Sequence, residues 1–459
     1  MYGRFKIPVF ICLLIFLAGF AQASENEANT IPDIWTVSAA VKYALHNNPD
    51  SEIALQRLAA AQAAITMADA SSYPQLSVTG RYSQTDNPMY SFGNILNQSA
   101  FDSSIDFNNP GRTDDFNTGL HLNYLLYNGG SNLAALNAAK AGADAAKMAF
   151  ESARSQLAFG AVKSFNQIAQ AEEIVQVHTV ALKEIDALLE VAKARFNEGI
   201  LLKTDLLNLE VQQSASRENL IRAKNHLEVA KRIFLNLLGI PDGQVIINPR
   251  EYTTQSLPTD TSYTQRFEIL NAEAMLNAAK FRLRQIKGAN SPTVEAFADY
   301  DYDQGWEMDG NGDSWQAGVQ LQYNLFDGHH QSAATAEATA RLAEAKAQLH
   351  KTEMAISLEV KQAELALDDA DNRLLVTEKG VELALESARI TRARFKEGSV
   401  LSSDLIAVEN RLTDAQLRRS FAETAHRIAV ANLRRAFGLP QFEEVNENLA
   451  NSTRNETSL

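Results

Sequence analysis

Residues 193–210 read KARFNEGILLKTDLLNLE, and residues 392–409 read RARFKEGSVLSSDLIAVE. The two stretches match at a constant offset of 199 residues (392 minus 193). In each stretch an apolar helical pattern stops at Glu-Gly and resumes within a few residues, which predicts the tip of a helix–turn–helix hairpin. The same offset carries Gly239 and Pro241 onto Gly438 and Pro440. The chain therefore consists of two tandem copies of a unit of roughly 200 residues.

The two copies differ in one loop. Upstream of the long helices the offset becomes 218 residues (291 minus 73), because Tyr73-Pro74 aligns with Ser291-Pro292. The first copy therefore carries 19 extra residues (218 minus 199) before Tyr124. These alignments predict a first repeat at 24–239, an equatorial connector at 240–261, a second repeat at 262–440 and a C-terminal tail at 441–459.

Both repeats predict the same order of elements. The first contains a helix at about 37–72, a strand pair at about 75–125, a long helix at about 131–196 and a helix at about 203–238. The second contains a helix at about 262–288, a strand pair at about 293–325, a long helix at about 330–395 and a helix at about 402–437. Each long helix lacks proline and would reach roughly 100 Å.

The spacing of apolar residues indicates how the long helices pack. Ile168, Val175, Leu182, Leu189 and Phe196 recur every seven residues, and the second copy shows the same repeat. A sustained seven-residue repeat predicts left-handed coiled packing, although an ordinary helical bundle core would give a similar pattern.

The strand pairs alternate between apolar and polar residues. Residues 315–324, WQAGVQLQYN, are a clear case. About ten alternating residues with aromatics toward the ends are typical of a strand in an outer membrane, where the polar face lines the lumen. The candidate lumen residues are Glu295, Asp299, Asp301, Gln320 and Gln322. A pair of surface hairpins with one buried face is the alternative.

The number of strands has a consequence for assembly. One chain supplies four such strands, whereas a closed barrel needs about eight or more. Within lipid every backbone donor and acceptor must be paired, so an open four-stranded sheet cannot span. If these strands cross a membrane, several chains must pool them.

Composition narrows the class of protein. The 459 residues carry 42 basic and 56 acidic side chains, a formal charge of −14, which argues against a nucleic-acid-binding protein. Residues 1–23 read as a signal peptide, with Arg4 and Lys6 before an apolar stretch that ends at Ala21-Gln22-Ala23. Cys12, the single cysteine, lies inside that segment. We therefore expect an exported protein without a structural disulfide.

Motifs for catalysis or metal binding are weak. The sequence contains no nucleophile elbow, P-loop, dinucleotide fingerprint or zinc-protease motif. Asp309, Asn311 and Asp313 resemble the start of a calcium loop, but Ser314 stands where that loop requires glycine. We expect no enzyme activity, no cofactor and no resident metal.

The duplicated plan, the paired RF-x-E-G-x-x-L-x-x-D-L tips and the Asn48-Pro49 opening resemble the TolC-like outer-membrane efflux protein family over about residues 35–440. The resemblance implies a mainly α fold with a membrane β-barrel portion. Three chains would pool four strands each into a twelve-stranded barrel in the outer membrane of a Gram-negative bacterium. A long α-helical barrel would continue through the periplasm. The function would be a passive exit duct in tripartite efflux or type I secretion. The partners would be outer-membrane lipid, a periplasmic adaptor and an inner-membrane ABC or proton-driven pump.

The resemblance also assigns roles at the two tips. The adaptor-docking turns would contain Arg195, Phe196 and Gly199 in the first repeat and Arg394, Phe395 and Gly398 in the second. The periplasmic gate would contain Thr204, Asp205, Phe395 and Asp404, with Asp404 in an acidic ring.

Two gate positions depart from the family. The tyrosine and arginine partners expected there are Phe395 and Val400, and Ala407 replaces a second acidic ring. Lys203, Arg392 or Arg394 could substitute for the missing partners.

Two alternatives stay open. Thr204 and Ser403 could act as helix caps, with Asp205 and Asp404 as ordinary first-turn acids. A soluble periplasmic coiled-coil adaptor or scaffold, with the hairpins as a docking domain, is the second candidate function.

Overall fold

A computed structural model describes residues 31–248 and 262–442. The predicted signal peptide, residues 249–261 of the connector and the tail beyond 442 lie outside the described residues. The helices are α1 (Val37–Asn47), α2 (Pro49–Ala70), α3 (Pro88–Asn97), α4 (Ser131–Asn197), α5 (Lys203–Leu238), α6 (Phe267–Gly288), α7 (His330–Glu397) and α8 (Ser402–Ala436). The strands are β1 (Gln75–Thr85), β2 (Thr113–Tyr127), β3 (Thr293–Gln304) and β4 (Asn311–Gln322).

Two very long helices set the length of the molecule. The helices α4 and α7 contain 67 and 68 residues, so each is about 100 Å long. Helix α5 returns along α4, and α8 returns along α7. Ile168 and Leu189, from the seven-residue repeat, are buried in α4. The repeat thus lies along the packed side of the helix, as coiled packing requires.

The opening helix differs from the prediction. The expected helix at about 37–72 is two helices, α1 and α2, separated at Asn48. Asn48 Oδ1 accepts a hydrogen bond from the Asp50 backbone N–H at 2.6 Å, and Asn48 Nδ2 donates to the Leu237 carbonyl at 2.6 Å. Proline disfavours a helical conformation in the residue before it, which ends α1 at Asn47. Pro49 is the first residue of α2, where a backbone N–H would have no partner within the helix, so the N–H that proline lacks costs no hydrogen bond.

A buried core lies beside the middle of α4, where α1, α4 and α5 meet. Trp35 is fully buried and makes edge contacts with Phe234 and Tyr43, at centroid distances of 5.5 and 5.4 Å. The Trp35 backbone N–H donates to the Ile246 carbonyl at 2.8 Å. The start of the predicted connector is therefore packed onto the helices at mid-length.

The four strands form one antiparallel sheet in chain order, β1-β2-β3-β4. Within the described residues, β1 and β4 each pair with one neighbour, so both are edge strands. The helices leave the sheet from the end at which Tyr127 and Gln322 lie. The 19 extra residues lie at the opposite end, between β1 and β2, and contain α3, which was not predicted.

Candidate functional site

The sheet separates apolar and polar side chains onto opposite faces. The register brings one row together across all four strands, Val78, Leu120, Tyr300 and Trp315. These side chains are exposed in the single chain, for example by 72% at Val78 and 76% at Trp315. A continuous exposed apolar sheet face marks an interaction surface, since water would be an unfavourable neighbour for it.

Aromatic side chains lie at both ends of the apolar face. Trp306 contacts Tyr82 and Phe116 near the α3 end, with ring centroids 6.0 and 6.2 Å apart. Tyr124, Tyr127 and Tyr323 lie exposed near the helical end. Two aromatic bands that flank an apolar band are typical of membrane-spanning strands.

The opposite face carries all five predicted lumen residues. The alternation and register place Glu295 opposite Gln320, Asp299 opposite Gln316, and Asp301 opposite Ser314. Gln322 pairs with Thr293 on the same face.

Two further members of this polar face, His121 and Asn117, were not predicted from the sequence. His121 Nδ1 lies 2.8 Å from Asp299 Oδ1, and Asn117 Nδ2 donates to Asp301 at 3.2 Å. The alternation along β2 was sufficient to predict that both residues lie on the face of the sheet that does not carry Leu120.

The two predicted docking turns lie side by side. Arg195 Nη1 donates to the Phe395 carbonyl at 2.7 Å, so a guanidinium of the first turn bonds the backbone of the second. Gly199 and Gly398 have φ of 76° and 82° and allow each helix to end. Phe196 is half-buried and Arg394 is exposed.

Phe395 lies inside a small core between the turns. It is fully buried and belongs to a cluster with Ile185, Leu188, Leu189, Ala192, Leu209 and Leu405. The ring therefore holds the two hairpins together by apolar contact, rather than presenting a polar group as a tyrosine there would.

Arg392 connects three helices at the same level. Its guanidinium binds both oxygens of Glu409 on α8, with Nη2 2.7 Å from Oε2, and Nη1 lies 3.3 Å from Glu184 Oε2 on α4. The hydrogen bonds to Glu409 hold the pKa of Arg392 above its ordinary value. Of the predicted substitutes, Arg392 is thus the cation that bridges the hairpins. Glu184 and Glu409 were not predicted.

The capping roles considered for Thr204 and Ser403 are wrong. Helices α5 and α8 begin at Lys203 and Ser402, one residue earlier, and neither has a side-chain cap. Asp205 Oδ1 instead accepts a hydrogen bond from Ser402 Oγ at 2.5 Å, another bond between the turns. Asp404 and Thr204 are exposed in the first turns of their helices.

Within residues 31–248 and 262–442, no group of three or more His, Cys, Asp or Glu could hold a metal ion. None of the helices described is both long enough and apolar enough to cross a bilayer.

Comparison with known proteins gives a consistent result. The sequence profile of the family described as Outer membrane efflux protein matches residues 40–239 and 260–439. Nodulation protein T of Rhizobium leguminosarum bv. trifolii is 21% identical over 432 residues, which cover 89% of this chain and 88% of that relative. Outer membrane protein TolC of Vibrio cholerae serotype O1 is 21% identical over 428 residues, 90% of this chain and 93% of that relative.

The fold has solved counterparts. The outer membrane protein VceC from Vibrio cholerae superposes with a TM-score of 0.77 at 19% identity, over 88% of this chain and 97% of that chain. At this level of identity the likeness concerns the fold.

Proposed function

The chain belongs to the outer membrane efflux protein family, whose members are channels, and on that premise we propose that three copies of it assemble into one duct. It is an outer-membrane protein that extends into the periplasm and serves as an exit duct for efflux. In the proposed trimer, twelve strands close a barrel and the long helices continue it as a tunnel. The duct is passive, and the chain performs no catalytic step.

The exposed apolar face of the sheet is the observation that carries this proposal. A single chain leaves that face uncovered and leaves β1 and β4 with one unpaired edge each. In the trimer, lipid covers the apolar face. Strand β1 of one copy can pair with β4 of the next, and this pairing gives hydrogen-bond partners to the edge backbone groups, which lipid cannot supply. Three copies supply twelve strands, enough for a closed barrel with an aqueous lumen.

The partners follow from the family and the position of the tips. Members of the family work with a periplasmic adaptor and an inner-membrane pump. We infer that the turns at Arg195–Gly199 and Arg394–Gly398 bind the adaptor, since they form the end of the molecule farthest from the sheet. The pump is an ABC or a proton-driven transporter.

The gate in this proposal is the contact between the two hairpin tips. Arg195, Arg392 and Asp205 each contribute a polar bond from one hairpin to the other. Opening the tunnel requires the α7–α8 pair to move away from α4–α5, which breaks these bonds. Asp404, exposed at the start of α8, would face the other copies across the entrance, where three carboxylates attract cations.

Two adjacent residues of β4 provide the test. Val319 lies on the apolar face and Gln320 on the polar face, and both are exposed in the single chain. Arginine on a lipid-facing strand costs about 2–4 kcal/mol near the bilayer midplane. We expect Val319→Arg to lower the amount of trimer in outer-membrane fractions, whereas Gln320→Arg leaves it unchanged.

The same experiment separates the duct from a soluble adaptor. Carbonate extraction should leave the wild-type protein in the membrane, and gel filtration in detergent should give the mass of a trimer. Protein released by carbonate, with equal behaviour of the two arginine variants, would support the adaptor and refute the duct.

A further inference from the structure

The residues between β1 and β2, here called the outer insert (residues 87–112), lie on one particular face of the sheet. Gly312 belongs to the polar face, opposite Asp303. A Cβ atom added to Gly312 would lie 2.1 Å from the Asn97 carbonyl oxygen, at the end of α3. Added Cβ atoms on Gly310 and Gly305 would likewise meet the backbone or side chain of Gln98. The insert therefore packs directly on the polar face.

Buried polar bonds fix the insert in this position. Thr113 is fully buried, and its hydroxyl lies 3.0 Å from Ser91 Oγ and 3.1 Å from Asn94 Nδ2, both on α3. Gln98 is 1% exposed and donates through Nε2 to the Asp114 carbonyl at 2.7 Å. Because these groups lie out of water, the bonds between the insert and β2 satisfy them and fix the insert on the strands.

A second set of contacts closes the insert on itself. The rings of Phe92, Phe101 and Phe107 form one cluster, with centroids 4.6 to 5.9 Å apart. Phe101 and Phe107 remain 47% and 58% exposed. The cluster thus presents apolar surface away from the contacts that hold α3 to the strands.

We propose that the outer insert constricts the outer mouth of the duct and sets the size of solute that passes. The inference rests on the proposed trimer: closing the barrel turns three polar faces toward the common axis, and each carries its insert inward with it. The insert lies at the end of the sheet opposite the long helices, which places it on the outer side of the membrane. The exposed Phe101 and Phe107 of each copy then face the inserts of the other two copies.

The experiment measures access to the lumen from outside. In a Cys12→Ser background, Gln316→Cys places a thiol on the polar face, opposite Asp299. Maleimide–polyethylene glycol reagents of increasing size are added to intact cells, where reagents too large for porins reach the lumen only through the outer mouth. Asp86→Cys, exposed just before the insert, is the matched control and should react with every size.

With the insert intact, small reagents should label Gln316→Cys and large ones should not. Replacing residues 88–110 by a short glycine–serine linker should abolish this size limit. The double variant Phe101→Ser with Phe107→Ser keeps the backbone of the insert and should raise the limit, so it carries the test if the shortened chain does not assemble.

Two failures are distinguishable. Trimers that label at Gln316→Cys with all sizes while the insert is intact would overturn the constriction and leave the duct in place. A monomer in detergent would overturn the proposed function itself.

Discussion

The two tip glycines should not tolerate substitution equally, although the duplicated sequence makes them equivalent. Gly199 and Gly398 both have positive φ, so alanine at either position costs about 1 kcal/mol in backbone energy. A Cβ added to Gly199 meets no atom within 4 Å, whereas one added to Gly398 would lie 2.2 Å from Arg195 Nη2. Gly398→Ala must therefore displace the guanidinium that bonds the Phe395 carbonyl.

The additional cost can be estimated from that bond. A hydrogen bond that involves a charged group contributes about 1.5–3 kcal/mol, and the half-exposed Arg195 belongs at the lower limit. In the proposed gate, a loss of about 1.4 kcal/mol shifts the balance between closed and open tips about tenfold in each subunit. If the three subunits open together, their contributions multiply.

Planar-bilayer recordings of the purified protein would give the fraction of time for which the proposed trimeric channel is open. We expect Gly398→Ala to open the channel far more often than Gly199→Ala, with Arg195→Ala reproducing the effect. In the Arg195→Ala background the two glycine substitutions should become equal, because the group that Cβ displaces is gone. Equal effects of the two glycine variants in the wild-type background would refute the proposal that the bond from Arg195 to the Phe395 carbonyl stabilises the closed tips.

Two further predictions concern charge. Replacing Asp299 and Asp301 by asparagine removes two carboxylates per subunit from the proposed lumen and should shift the reversal potential in a salt gradient toward zero; unchanged selectivity would make both residues part of an ordinary solvated face. Burial would raise the pKa of Glu268, but the hydrogen bonds and charge of the buried Arg266 outweigh it and lower the pKa. Its ionisation therefore stabilises the fold fully above the ordinary glutamate pKa, and the contribution is lost as pH falls through the lowered value. Arg266 keeps its second partner, Glu359 Oε2 at 3.1 Å, and Glu268 is itself partly exposed, so Glu268→Gln should cost about 1.5 kcal/mol at neutral pH, measured by thermal unfolding. The difference from wild type should vanish in acid. Glu386→Gln, at an exposed ion pair with Arg389, should leave unfolding unchanged.

Features with a regular period were accessible from the sequence. The placement of Asp299 and Gln320 on the polar face followed from alternation in β3 and β4, because a strand turns every second side chain to the same face. The position of α3 over the polar face was not accessible, because it depends on the small size of Gly312 and on bonds from Thr113 to residues about 20 positions away. The break at Asn48 was signalled by Pro49, but the bond from Asn48 to Leu237 joins positions 189 apart.

The sequence alone predicted the duplication, the long helices, the two-faced strands and, for a sheet that crosses a membrane, the need for more than one chain. These depend on period, length and the number of strands, all of which are local or countable. The tertiary structure decided how the repeats differ. In the folded chain, Arg195 lies against the second turn and Phe395 is buried between the hairpins. Arg392 is the cation that bridges to Glu184. Such contacts arise where two hairpins of related sequence meet in unequal surroundings, and no pattern within either hairpin specifies them.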